Sequence, residues 1–92
     1  MDIRKMFGRN LRRYRLSARL SQEALAERMG VDRAHVSSME RGRQNVTLLT
    51  IWQAAQALGC RSAEFLNEEA ATVTAYDGAA KAPRRRRTKT QG

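Results

Sequence analysis

Cysteine, histidine and proline each occur once in the 92 residues, and aromatic side chains make up only 5%. A single Cys with a single His falls short of the four ligands of a structural zinc site, and a lone thiol cannot close a disulfide within the chain. Cys60, placed after "ALG" and before a helix start, is therefore expected to act as a small buried apolar group. No apolar run approaches the roughly 18 residues that cross a bilayer, and the opening "MDIRKMFGRNLRR" lacks the apolar stretch and cleavage site of a secretory signal. These absences predict a soluble, cytoplasmic protein without a metal site; neither catalysis, a cofactor nor a small-molecule ligand is expected.

Acidic side chains are the other shortage. Nine Asp and Glu stand against eighteen Lys and Arg, a formal net charge of +9 that calls for a polyanionic partner. Residues 71–92 hold six basic groups and one acid, net +5, leaving twelve and eight, net +4, in residues 1–70.

What the chain does contain is helical. An apolar content of 41% with few aromatics suits a compact all-α core better than a sandwich or barrel. Residues 1–70 carry the period of amphipathic helices and are expected to form one domain. From Ala71, "ATVTAYDGAAKAPRRRRTKTQG" combines small residues, Gly78, Pro83 and four arginines, a composition that predicts a flexible basic tail.

A five-helix bundle is expected. The first helix runs from about Ile3 to Ala18, with Ile3, Phe7, Leu11 and Tyr14 facing inward. Ser21 caps the second and Gly30 ends it; Asp32 caps the third, and Gly42 stops it. Thr47 caps a fourth whose Leu48, Ile51, Trp52, Ala55 and Leu58 make one stripe before Gly59, and Ser62 opens a short fifth with Phe65 and Leu66.

The third helix has an unusual outer face. At about 100° per residue, Arg33, Ser37, Ala34 and Ser38 share one side while His35, Met39 and Val36 gather on the other. Two of the four, Ser37 and Ser38, are weak helix formers, and the short side chains let a helix come close to something else. In "QEALAERMGVDRAHVSSMERG", Leu25, Met29, Val31, Val36 and Met39 can share a core, Ala26 suits a close helix crossing, and Gly30 makes the turn. That is the spacing of a helix-turn-helix, whose second helix protrudes with the width of a major groove of about 12 Å.

Residues from about Gly8 to Leu66 resemble the DNA-binding domain of the Xre, Cro and phage-repressor family. The resemblance rests on "LRRYR", "LSQEALAERMGV", "SSMERG" and "LLTIWQAAQALG", in order and at the family's spacing; "DRAHVSSMERGRQNVT" also resembles restriction-modification controller proteins. It implies a lambda-repressor-like fold and a transcriptional regulator that occupies a palindromic operator on double-stranded DNA as a homodimer. Arg33, Ala34 and Ser38 match base-reading positions and Ser37 sits beside them, with Arg33 suited to a guanine and Ala34 to a thymine methyl. Gln22 matches a glutamine that meets a phosphate through its backbone and braces the recognition helix through its side chain. Arg43, Gln44 and Asn45 lie where relatives grip the phosphate backbone. Arg15 and Glu40 match a buried ion pair that ties the first helix to the third.

Plainer roles compete at several positions. His35 suits a partly buried or phosphate-side place better than base reading; Trp52 is expected in the core, with a second subunit as the lesser alternative. Most arginines of the first helix read as solvated surface. "PRRRR" fits a solvated tail, a localisation signal or, preferred here, an arm making sequence-independent contact with DNA. Two other classes of function remain open: an interaction or coactivator module of the same fold, and a non-specific nucleic-acid-binding protein driven by the tail.

Overall fold

Asp2 opens the first helix by accepting the backbone N–H of Arg4 at 2.9 Å. The computed structural model describes residues 2–69; Met1 and residues 70–92, and with them the expected basic tail, lie outside the described residues. Within that span the regular structure is α1 (Ile3–Ser17), α2 (Gln22–Met29), α3 (Arg33–Glu40), α4 (Leu48–Leu58) and a 3-10 helix (Ser62–Leu66).

Local chemistry accounts for most of the boundaries. Ser21 Oγ accepts the backbone N–H of Ala24 at 3.0 Å and Thr47 Oγ1 accepts that of Thr50 at 3.1 Å, each satisfying a donor the helix itself leaves unpaired. Gly30 and Gly59 end α2 and α4 in the left-handed region, at φ of 76° and 67°, where a side chain is costly. Asp32 has the extended backbone of a cap, but its side chain makes no capping bond. α1 ends without a glycine; Arg19 takes the left-handed turn at φ 60°.

α2 and α3 pack on each other, α3 also rests on α1, and α4 lies against α2 with the 3-10 helix closing the far side. Between them sit Phe7, Leu11, Leu25, Ala26, Met29, Val36, Met39, Ala54, Ala55 and Phe65. Phe65 is the centre of the closing side, with its ring edge-on to Phe7 at 5.5 Å and to Tyr14 at 5.8 Å. Asn10, fully buried, ties that segment down by donating Nδ2 to the carbonyls of Phe65 at 2.8 Å and Asn67 at 3.0 Å. Tyr14 donates its hydroxyl to Glu64 Oε1 at 2.7 Å; burial first and that carboxylate second push the phenol's pKa above its ordinary value. Cys60 packs against the core, where burial and the charge of Glu64 push its thiol up to about 12.

Several expectations are corrected. The fifth helix is a 3-10 helix, opened by Arg61 rather than Ser62, so the described chain has four α-helices. Ile3 and Leu48 are exposed because each is the first residue of its helix and projects past the core. Trp52 is 54% exposed and is not a core residue. α4 turns Ala54 and Ala55 inward, where short side chains let it approach its neighbours closely, and that rotation carries Trp52 outward. Leu66 is exposed as well, while its neighbour Phe65 is fully buried.

Candidate nucleic-acid interface

The candidate surface is built from the inner side of α3 outward. Val36 and Met39 are buried against Leu25, Ala26 and Met29, which fixes the helix along one edge. Val31 enters the turn by donating its backbone N–H to Ala26 O at 3.0 Å, and the left-handed Gly30 beside it allows the reversal. At the other end, Gly42 (φ 74°) donates to Met39 O and Arg43 to Ser38 O, closing the helix at 3.0 and 3.1 Å.

A charged strut holds α3 to α1. Arg15 Nε lies 2.6 Å from Glu40 Oε2 and Nη2 lies 3.0 Å from Oε1, with side-chain exposures of 9% and 3%. Arg15 also donates Nη1 to the carbonyl of Leu20 at 2.8 Å, and Gln22 donates Nε2 to Glu40 Oε1 at 3.1 Å. One carboxylate thus gathers groups from α1 and the start of α2 onto the last turn of α3. Two-point pairing of a guanidinium with a carboxylate is among the stronger protein hydrogen-bond arrangements, and it fixes orientation as well as distance.

The opposite side of α3 is open. Arg33 and Ala34 are exposed, Ser37, Ser38 and His35 are half-buried. Among the described residues the Arg33 guanidinium has neither an ion pair nor a hydrogen bond. Arg43 and Asn45 are exposed beyond the helix, as is Arg41, which the sequence reading left unassigned. Gln44 folds back and donates Nε2 to Ser38 Oγ at 3.0 Å. Periodicity could not reveal that contact, since it joins a helix residue to a loop residue. Among the described residues no cluster of His, Cys, Asp and Glu is placed to hold a metal ion, and no helix there is long and apolar enough to cross a membrane.

A family model described as helix-turn-helix matches residues 11–65, which spans α2 and α3 entire. The HTH-type transcriptional regulator y4dJ of Sinorhizobium fredii is 42% identical over 66 residues, 72% of this chain and 86% of the relative. Control protein C.SmaI of Serratia marcescens is 41% identical over 69 residues, 75% and 82% of the two chains. Among solved structures, the restriction-modification controller protein C.AhdI of Aeromonas hydrophila superposes with a TM-score of 0.66 at 42% identity, covering 67% of this chain and 94% of that one. The exposed arginine-led face of α3, the buried strut behind it and these likenesses agree: the chain belongs to the helix-turn-helix family of DNA-binding transcription regulators, of the Xre and controller-protein type.

Proposed function

We propose that the chain binds double-stranded DNA sequence-specifically and regulates transcription from a roughly palindromic operator as a homodimer. The observation that carries this is the outer face of α3: an exposed arginine without a partner among the described residues stands beside the small Ala34, on a helix locked from behind by Arg15, Glu40 and Gln22. A stabilising role for Arg33 has no support in its surroundings, whereas a planar fork of donors at the front of such a helix suits the O6 and N7 of guanine. Ala34, Ser37 and Ser38 take the adjoining base edges, and Gln22, Arg43, Gln44 and Asn45 take phosphates on either side. Leu48, Leu49 and Trp52, exposed together at the start of α4, supply an apolar surface for the second subunit.

Selection of bound sites from random duplexes tests the reading. The expected outcome is an enriched site of two half-sites about 10 base pairs apart. Arg33→Ala should cost about 1–3 kcal/mol and relax one base position in each half. Enrichment of no sequence, or an Arg33→Ala protein that selects the same site with the same affinity, overturns the proposal.

A further inference from the structure

A serine hydroxyl is an ambivalent reader of DNA. It carries one hydrogen to donate and two lone pairs with which to accept, so alone it pairs with either kind of base-edge group. Ser38 is not alone. Its Oγ accepts the side-chain amide of Gln44 at 3.0 Å, across the turn that follows α3. That bond occupies a lone pair and leaves the hydroxyl hydrogen untouched. A serine inside a helix often gives its hydrogen to the carbonyl four residues back. Here that acceptor is Ala34 O, yet among the described residues the Ser38 hydroxyl donates to nothing. An oxygen that accepts a hydrogen bond is also polarised into a better donor.

We infer that Gln44 is a positioning residue that sets the polarity of Ser38, turning its hydroxyl into a donor aimed at an acceptor on a base edge. The inference rests on the DNA-binding reading above and deepens it. The acceptors open to such a donor in the major groove are purine N7, guanine O6 and thymine O4; the amino groups of cytosine and adenine are donors and are disfavoured. Gln44 keeps a second amide hydrogen, which suits a phosphate oxygen, so one side chain links the backbone grip to the base choice. This accounts for a loop glutamine whose amide turns back on the helix before it.

The test compares wild type, Ser38→Ala, Gln44→Met, Gln44→Glu and the Ser38→Ala/Gln44→Met double variant in site selection and in direct binding to the selected duplex. Wild type is expected to prefer an acceptor base at one position per half-site, by about fivefold, the value of one hydrogen bond. Ser38→Ala and Gln44→Met should each erase that preference at the same position and leave the others, and the double variant should be no worse than either. Gln44→Glu can only accept, so it draws the serine hydrogen to itself and should shift the preference toward cytosine or adenine amino groups. In the free protein, Ser38→Ala should move the side-chain amide NMR signals of Gln44.

Three results overturn the inference while the DNA-binding reading stands. One is a motif left intact by Gln44→Met; another is additive loss in the double variant; the third is a Gln44 amide indifferent to Ser38→Ala. A wild-type protein that selects no sequence overturns both.

Discussion

Arg15 and Glu40 meet as a two-point fork, 2.6 and 3.0 Å across the α1–α3 contact, with almost no solvent on either side chain. Their attraction is balanced against the cost of desolvating two ions, so replacing both with apolar groups can be tolerated, but removing one strands the other. Glu40→Ala is therefore expected to lower the unfolding free energy by about 3 kcal/mol, and Gln22→Ala, which deletes a single neutral donor, by about 1 kcal/mol. Urea denaturation measures both. A Glu40→Ala midpoint equal to that of the parent refutes the strut.

Gly8 puts helix propensity and packing in conflict. Within a helix, Gly→Ala ordinarily gains up to about 1 kcal/mol. Here an added Cβ meets the backbone carbonyl oxygens of Met39 and, at 2.7 Å, Glu40, so α1 and the end of α3 have to separate. Gly8→Ala is expected to destabilise by about 1–3 kcal/mol and to lower the melting temperature, as overpacking does. A variant that melts above the parent contradicts this.

Helix ends governed by one side chain were readable from the sequence, and directions governed by packing were not. Ser21 and Thr47 act as caps, and Gly30 and Gly59 as stops, through chemistry confined to a few adjacent residues. Trp52 fell on a plausible apolar stripe, but which flank of that stripe turned inward depended on the small Ala54 and Ala55 meeting neighbours distant in sequence. Asn10 gave no local sign of its bonds to Phe65 and Asn67, more than fifty residues away, because a polar residue on a helix ordinarily faces water. At the candidate site the exposed Arg33 was legible from periodicity; the bond between Ser38 and Gln44 was not.

Cys60 gives a pH-dependent signature. Its folded pKa of about 12 lies above the ordinary 9.0 because burial, and then Glu64, disfavour the thiolate. A raised folded pKa means the native state holds its proton more tightly. The stability it contributes is fully present below pH 9.0 and is lost as pH rises toward 12. Alkaline titration of the melting temperature should fall across that window, and less steeply in Cys60→Ala. Iodoacetamide at pH 8 should modify the native thiol far more slowly than the urea-unfolded one, since the thiolate is the nucleophile. Equal rates in the two states remove the argument.

The proposed dimer leads to a separation of functions that can be measured. Leu49 is 62% exposed on α4, so changing it leaves the buried core of each subunit in place. An aspartate there sets a charge into an apolar contact and should raise the dimer dissociation constant at least about tenfold, or 1.4 kcal/mol, by sedimentation equilibrium. The α3 face is untouched, so affinity for a single half-site should stay at the wild-type value while affinity for the two-half-site operator falls. Equal loss on both duplexes places Leu49 in the DNA contact, and unchanged self-association removes the α4 surface from the dimer. The comparison is informative because a subunit that reads only a few base pairs depends on its partner for most of its operator affinity, through the raised effective concentration of the second reading helix.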